Sequence, residues 1–306
     1  MNILVTGGAG FIGSHIADAY IEAGHHVVII DNLVTGRMEN VNKKADFYKC
    51  DIQSPEVEAI FSKHRFQVVN HQAAQMDVRK SVQDPVFDAE NNVIGFLNIL
   101  QNCIASGTER VIFASSGGAI YGEQDTFPAD ESHKTQPYSP YGITKLVGEK
   151  YLFFYANTYG LNYTALRYAN VYGPRQNPHG EAGVVAIFAN MLLSGHQPII
   201  NGDGKQTRDF VYVRDVVRAS VLSLGLENDV ILNIGTGVET DINRIFHILN
   251  ELTGARKAEE HGPSMEGEQR RSVIDYGRAQ RILGWSPEYD LEKGLAETVE
   301  YFRNRP

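Results

Sequence analysis

The sequence predicts an α/β protein in which a doubly wound parallel sheet is covered by helices on both faces and is followed by a smaller second domain. Through the first half of the chain, short apolar runs with strand character alternate with segments of helical period. This alternation is typical of parallel strands joined by helical crossovers. After about residue 170 the pattern becomes irregular, with four Pro and Gly residues in one loop. We therefore predict a first domain at residues 1–169 and a second at 170–306, with segments interleaved between the two.

Six apolar runs are predicted as strands of the first domain, at residues 3–5, 27–30, 47–50, 67–70, 110–114 and 163–167. Between the first two, Ile16, Tyr20 and Ala23 share a face at helical spacing before Gly24 ends the helix. Ser54 and Pro55 supply an N-cap and a first-turn proline for a second helix. In the second half, helices are predicted near residues 214–224, 240–253 and 291–303.

The composition excludes several classes of protein. A chain of 306 residues with 42% hydrophobic and 21% charged residues is typical of a globular protein. Its net charge of -9 argues against general binding to nucleic acid or to anionic membranes. No apolar run approaches the roughly 20 residues that span a bilayer, and the N-terminus lacks the features of a signal peptide. A cytoplasmic location is therefore expected.

The residue spacings predict no metal site. Cys50 and Cys103 have no metal-ligand spacing and are expected to be small buried groups. His179 and Glu181 lie in an irregular loop, again without such spacing, and His71 at a strand end is interpreted as a packed histidine.

The stretch VTGGAGFIG follows the first predicted strand and opens the first helix, with Gly8, Gly10 and Gly13 in G-x-G-x-x-G register. This context suits a tight turn, a close approach of the backbone to a pyrophosphate, and a helix N-terminus that favours the anion. Asp31 ends the second strand, where a carboxylate can accept hydrogen bonds from an adenosine ribose and would repel a 2'-phosphate. The pattern indicates NAD rather than NADP, although Arg37 lies nearby. Asp51 with Ile52 either holds the adenine edge or forms a plain turn.

In SPYGITK, Tyr141 lies four residues before Lys145 and on the same face of a helix. A phenol has an unperturbed pKa of about 10, and a nearby ammonium group favours the phenolate. Such a phenolate can take a proton from a substrate hydroxyl as hydride leaves the same carbon. The spacing alone is common, so its weight depends on the rest of the chain.

The glycine-rich turn, Ser116 after a central strand, and the Tyr141 and Lys145 pair together resemble the extended short-chain dehydrogenase/reductase family. The resemblance covers nearly the whole chain, through LRYANVYGPRQ, GDGKQTRDFVYVRDV and NIGTG to RILGWSP, and is closest to the UDP-sugar 4-epimerases. It implies a Rossmann-type sheet and a smaller C-terminal α/β domain that binds the UDP-sugar. It places the catalytic groups on Ser116, Tyr141 and Lys145. It places NAD contacts on Gly7, Gly10, Phe11, Ile12, Asp31, Asn32, Asp51, Ile52, Asn91 and Tyr168.

The resemblance implies substrate contacts at Asn170, Arg208, Arg270, Arg271 and Ser272. Arg208 matches the diphosphate-binding arginine of the family, and Arg270 or Arg271 adds a second charge. This chain has Met265 where the family often has an arginine, which leaves both late arginines as candidates for the phosphate contact. The small Ser272 at the gatekeeper position leaves space for an N-acetyl group. The family also implies a homodimer, formed by the helix near residues 92–106 and the helix that carries Lys145.

The residues after Ser116 separate the reactions of this family. Its dehydratases carry an Asp-Glu pair there and its decarboxylating members keep a Glu, whereas this chain has Gly117, Gly118 and Ala119. The resemblance therefore implies that UDP-glucose and UDP-galactose are interconverted through a 4-keto sugar, with NAD retained. A UDP-glucuronate 4-epimerase or another UDP-sugar epimerase is the nearest alternative, and a non-catalytic NAD sensor is the alternative from a different class.

Overall fold

The computed structural model describes residues 1–178, 183–265 and 269–304. The strands of the larger sheet are β1 (Asn2–Thr6), β2 (His26–Asp31), β3 (Asp46–Lys49), β4 (Val68–His71), β5 (Arg110–Ser116), β6 (Asn162–Tyr168) and, from later in the chain, β10 (Val230–Ile234). The remaining strands are β7 (Asn170–Tyr172), β8 (Ile200–Asn201), β9 (Thr207–Tyr212), β11 (Glu239–Asp241), β12 (His261–Gly262) and β13 (Arg271–Ser272).

The α-helices begin and end at well-defined residues. In chain order they are α1 (Phe11–Glu22), α2 (Glu56–His64), α3 (Val78–Gln83), α4 (Pro85–Ala89), α5 (Gly95–Ser106), α6 (Pro140–Tyr159), α7 (Val184–Leu193), α8 (Val213–Leu222), α9 (Ile242–Thr253), α10 (Gly277–Leu283) and α11 (Leu291–Arg303). A π-helical turn, Glu90–Ile94, joins α4 to α5.

The seven strands of the large sheet run parallel in the order β3-β2-β1-β4-β5-β6-β10. All six predicted strands are present as β1 to β6, which confirms the predicted parallel sheet. Strand order reverses between β1 and β4, and the carboxyl ends of strands at such a reversal form a crevice that binds ligands.

Helices cover both faces of this sheet, as predicted. On one face, Phe61 of α2, Phe96 of α5 and Leu152 of α6 belong to one buried cluster. On the other, Ile16 of α1 and Val216 of α8 belong to a second cluster. The sheet is therefore buried on both sides, as a doubly wound fold requires.

Local signals set the predicted helix ends to within a residue or two. Helix α1 ends at Glu22, shortly before Gly24, which has a φ of +83°. Helix α2 begins at Glu56, one residue later than expected, and Ser54 Oγ accepts the N–H of Glu56 at 3.2 Å. The three helices predicted in the second half correspond to α8, α9 and α11.

The second half of the chain builds a smaller sheet in which β9 pairs with β7, β11 and β13. Helices α7, α9 and α11 share a third buried cluster that includes Phe188, Phe246 and Leu295. Strand β10 and helix α8 pack with the large sheet instead. Among the helices that the structure describes, none is long and apolar enough to cross a bilayer.

Candidate active site

A cavity of about 650 Å³ opens at the carboxyl ends of the parallel strands. Its lining includes the glycine-rich turn after β1, the ends of β2, β5 and β6, and the start of α6. Every residue predicted to be catalytic or to contact NAD lines this one cavity, together with Asn170. The topology thus brings together residues as far apart along the chain as Gly7 and Asn170.

Two glycines at the turn between β1 and α1 have no room for a Cβ. Gly7 has a φ of +68°, and a Cβ there would lie 2.7 Å from the backbone nitrogen of Ala73. A Cβ at Gly13 would lie 2.3 Å from the carbonyl oxygen of Gly7. Helix α1 begins at Phe11 without a side-chain cap, so its first N–H groups are available to a phosphate. The turn fits the pyrophosphate of a dinucleotide.

The carboxylate of Asp31 lies at the end of β2 beside this turn. It accepts hydrogen bonds from the N–H groups of Ala9 at 3.0 Å and Leu33 at 2.8 Å. Burial raises the pKa of Asp31, and these two hydrogen bonds oppose the rise. Asn32 Nδ2 donates to Asp51 Oδ2 at 2.8 Å, which joins the ends of β2 and β3. Asp31, Asn32 and Asp51, which are predicted to contact the adenosine half of NAD, therefore lie side by side at one end of the cavity.

Ser116 is the last residue of β5 and pairs with Tyr168, the last residue of β6. Helix α6 begins nearby, because Pro140 occupies its first turn and Ser139 Oγ accepts the N–H of Gly142 at 3.1 Å. This start places Tyr141 and Lys145 one turn apart in the cavity.

Lys145 is buried, and its Nζ donates to the carbonyl oxygen of Ala114 at 2.8 Å. The same Nζ lies 5.8 Å from the centre of the Tyr141 ring. Burial lowers the pKa of Lys145 to about 8, and the carboxylate of Asp88 opposes that effect. The group is therefore a cation at neutral pH that is held close to the phenol.

The family model described as NAD dependent epimerase/dehydratase family matches residues 3–235, which is more than half of the chain. The chain belongs to this family.

Solved structures similar to this family member include a UDP-glucose 4-epimerase from Thermotoga maritima with UDP-glucose, which is 52% identical, covers 99% of each chain and has a TM-score of 0.97. A UDP-glucose 4-epimerase from Thermus thermophilus in complex with NAD is 44% identical, with 99% of each chain covered and a TM-score of 0.94. A UDP-N-acetylglucosamine 4-epimerase from Methanobrevibacter ruminantium in complex with UDP-N-acetylmuramic acid is 36% identical, covering 98% of this chain and 97% of that one, with a TM-score of 0.93.

This epimerase/dehydratase-family protein is therefore an NAD-dependent enzyme, as predicted. The geometry of the cavity fits this cofactor. A Cβ at Gly7 would fill the space beside Ala73 where the pyrophosphate fits, and α1 begins with uncapped N–H groups. Asp31 stands where a ribose hydroxyl can donate to it. Arg37 is half-buried and pairs with Glu39 at 3.5 Å.

Sequence reasoning missed the polar residues that hold helix α6, which carries Tyr141 and Lys145. Asp88 is fully buried and accepts hydrogen bonds from Thr144 Oγ1 at 2.9 Å and Gln75 Nε2 at 2.8 Å. Ser81 Oγ accepts the N–H of Tyr141 at 3.2 Å. Glu149, one turn after Lys145, accepts a hydrogen bond from Ser115 Oγ at 2.6 Å. The one usable signal was periodicity, since Tyr141, Lys145 and Glu149 share one helix face.

Four of the predicted substrate residues lie on or beside the smaller sheet and are not among the described residues that line the cavity. Ser272 of β13 is buried and pairs with Arg208 of β9, whose Nη1 donates to Thr207 O at 2.8 Å. Arg270 forms a bidentate pair with Asp203 at 2.8 and 2.9 Å. Arg271 pairs with Glu239 and lies 3.6 Å from the centre of the Phe127 ring. Their roles toward substrate stay predictions.

Three polar residues received no functional role from the sequence: His71, His179 and Glu181. His71 lies in the core beside the rings of Phe96 and Phe113, which also stack on each other, and its Nδ1 lies 2.9 Å from Thr6 Oγ1. Burial lowers its pKa to about 3, so it is neutral at physiological pH. His179 and Glu181 lie outside the described residues.

Proposed function

We propose that this enzyme is a UDP-sugar 4-epimerase whose substrate pair is UDP-glucose and UDP-galactose. The observation that carries the proposal is that Ser116, Tyr141 and Lys145 line the same cavity as the glycine-rich turn, while Gly117, Gly118 and Ala119 follow Ser116. The two most similar structures described above are named UDP-glucose 4-epimerases, which supports the choice of sugar.

Tyr141 is the residue that moves the proton in this proposal. Its phenolate oxygen takes the proton of the sugar 4-hydroxyl and returns it to the same oxygen at the end of the cycle. The Lys145 ammonium favours the phenolate because an opposite charge within about 6 Å stabilises the ionised form. The Ser116 hydroxyl holds the reacting oxygen by a hydrogen bond. NAD, when bound, supplies the acceptor and donor of the hydride at sugar carbon 4.

The residues after Ser116 favour epimerisation over loss of water. Elimination needs an acid and a base at neighbouring carbons, and the next acidic residue in the sequence after Ser116 is Glu123. A Cβ at Gly118 would have Asn170 Oδ1 as its nearest neighbour, at 3.7 Å. A Cβ at Gly117 would lie 2.7 Å from Ile274 Cδ1, so Gly117 is closely packed and the open position is Gly118. The space beside Gly118 gives a 4-keto sugar room to turn before hydride returns to its opposite face.

One experiment tests the reaction and its substrate together. The protein is incubated separately with UDP-glucose, UDP-N-acetylglucosamine and UDP-glucuronate, and the products are identified by proton NMR. We expect UDP-galactose from the first. Turnover of UDP-glucuronate alone would favour the sibling epimerase, keto-deoxy or pentose products would contradict epimerisation, and no turnover of any sugar would favour an NAD sensor.

Acceptance of N-acetylated sugars is a finer part of the proposal. Ser272 is small, and the 36% identical structure is named a UDP-N-acetylglucosamine 4-epimerase, which supports it. A Ser272→Tyr variant should lose turnover of UDP-N-acetylglucosamine and keep that of UDP-glucose. A protein that epimerises UDP-glucose but shows no activity on the acetylated sugar would contradict this part.

We also infer that the enzyme acts as a homodimer built on α5 and α6. Phe153, Phe154 and Tyr159 lie on α6 and are exposed, although Tyr155 on the same helix is buried. Exposed aromatic side chains on one helix are typical of an interface. This supports the pairing of helices that the family resemblance implies.

A further inference from the structure

Three potential metal ligands lie close together at the amino ends of the neighbouring strands β2 and β3. His26 begins β2, Asp46 begins β3 and His64 ends α2. Strand β2 runs from His26 to Asp31, so roughly 17 Å of strand separates this cluster from the dinucleotide cavity. The cluster is thus a separate feature that the proposed reaction does not use.

The three donor atoms are close together. His26 Nε2 lies 3.1 Å from Asp46 Oδ2, and His64 Nδ1 lies 4.0 Å from the same oxygen. In the part of the chain that the structure describes, this is the one group of three such side chains whose ligand atoms all lie within 4.8 Å of one another. A tetrahedral zinc ion with bonds of about 2.0 Å holds its donors about 3.3 Å apart. Small side-chain rotations would reach that geometry.

The imidazole of His64 is already oriented by its surroundings. Its ring stacks on Phe66 with an interplanar angle of 14°. Its Nε2 lies 2.8 Å from the hydroxyl of Tyr48, which also accepts a hydrogen bond from Lys63 Nζ at 2.8 Å. Metal-bound histidines usually donate their second ring N–H to an oxygen, which fixes the ring and the tautomer. With Nε2–H directed at Tyr48, Nδ1 presents its lone pair to the cluster.

The donor set and its exposure suit a metal ion better than a simple ion pair. Two imidazoles and one carboxylate are ligands that zinc uses in proteins, often with water in the remaining position. His26 and Asp46 are exposed, so an ion can enter and keep water ligands.

From this geometry we propose that His26, Asp46 and His64 form a binding site for one divalent first-row transition metal ion of the zinc type. The ion joins the edge strand β3 to β2 and to the end of α2. Its role is therefore to stabilise the edge of the sheet, and its binding energy appears as resistance to unfolding.

The test uses tag-free full-length protein that has been treated with chelator and dialysed. Zn²⁺ is titrated by calorimetry, and Co²⁺ binding is followed by visible absorption. We expect one ion per chain. His26→Gln and Asp46→Asn change exposed side chains, so they should fold, and each should weaken Zn²⁺ binding at least about tenfold. Tyr48→Phe, which removes only the oxygen beside His64, should weaken it by about tenfold.

His261 supplies a matched control. Its Nε2 lies 3.2 Å from Glu259 Oε2, while His247 Nε2 lies 2.6 Å from the other oxygen, Oε1. This second cluster has the same kinds of residue, and His261→Gln should leave Zn²⁺ affinity unchanged. Parental affinity in both His26→Gln and Asp46→Asn would overturn the proposal, and so would an equal loss in His261→Gln.

Discussion

Arg167 of β6 and Glu149 of α6 form a buried bidentate ion pair beside the end of β5. Nε of Arg167 lies 2.9 Å from Oε1 of Glu149 and Nη2 lies 2.7 Å from Oε2, with side-chain exposures of only 5% and 2%. Glu149 also accepts a hydrogen bond from Ser115, the neighbour of Ser116, and Arg167 donates to Tyr121 OH at 2.9 Å. The pair therefore ties α6 to the ends of β5 and β6, one helical turn from Lys145.

Removing one member of this pair should destabilise the protein strongly. In Glu149→Gln the guanidinium of Arg167 stays buried without its counter-charge, and we expect a loss of about 3 kcal/mol in the free energy of unfolding. Urea denaturation measures it. The exposed Arg303 and Glu300 pair, at 3.2 Å, gives the control, since Glu300→Gln should cost no more than about 0.5 kcal/mol. Similar losses in both variants would show that burial of the Glu149 pair has no special effect.

Tyr141→Phe should abolish epimerisation while NAD stays bound. The change removes only the phenolic oxygen, so we expect turnover of UDP-glucose to fall by about 100- to 10,000-fold. NAD released from the denatured variant should match the amount from the parent. Tyr138→Phe is a control three residues earlier on an exposed tyrosine, and it should keep full activity. Substantial turnover by Tyr141→Phe would disprove the proposed proton transfer.

The activity should fall on the alkaline side as Lys145 loses its proton. Burial places the pKa of Lys145 at about 8, so the ammonium is present below that pH and is lost as the pH rises through it. We therefore expect kcat/KM, measured from pH 6 to 10, to decline with an apparent pKa near 8. In Lys145→Arg the guanidinium keeps its charge throughout this range, so kcat/KM should no longer decline at alkaline pH. Its kcat/KM should be lower than that of the parent, because the guanidinium donors are less well placed. An unchanged decline in this variant would assign the titration to another group.

Gly7→Ala should remove bound NAD. Both its φ of +68° and the 2.7 Å approach of a Cβ to Ala73 N oppose any side chain there. Gly107 has a similar φ of +75° with nothing within 4 Å of a Cβ, so Gly107→Ala isolates the backbone strain, which costs about 1 kcal/mol. Released NAD is measured by absorbance after denaturation. Loss of NAD from both variants would mean that general destabilisation, not the contact with Ala73, is responsible.

Replacing the exposed aromatic residues of α6 should dissociate the dimer. Phe153 is 61% exposed and Phe154 is 48% exposed in the single chain. We expect the parent to elute at twice the chain mass in light scattering, and the Phe153→Ser, Phe154→Ser double variant to elute as a monomer. Val238→Ser changes an exposed apolar residue elsewhere and should not alter the mass. A monomeric parent protein would contradict the homodimer.

Sequence reasoning succeeded where the determinant is local. The alternation of apolar runs and helical segments predicted β1 to β6, and the spacing of Tyr141 and Lys145 placed both on one helix face. The glycine-rich turn could be predicted because its glycines lie close together in the sequence and directly follow an apolar run. The proposed metal site could not be predicted, since His26, Asp46 and His64 follow no ligand spacing along the chain and meet only where two strands begin and a helix ends.

The order of strands and helices along the chain, the position of the glycine-rich turn and the placing of Tyr141 and Lys145 on one helix face were thus determined by the sequence itself. Tertiary structure alone decided that β10 joins the large sheet beside β6, that Lys145 is buried with a pKa of about 8, and that Glu149 meets Arg167. Residues that are close in sequence constrain each other through backbone geometry. The burial of a side chain, its ion pairs and its pKa depend instead on which distant segments pack together. The spacing of residues along the sequence does not specify that packing.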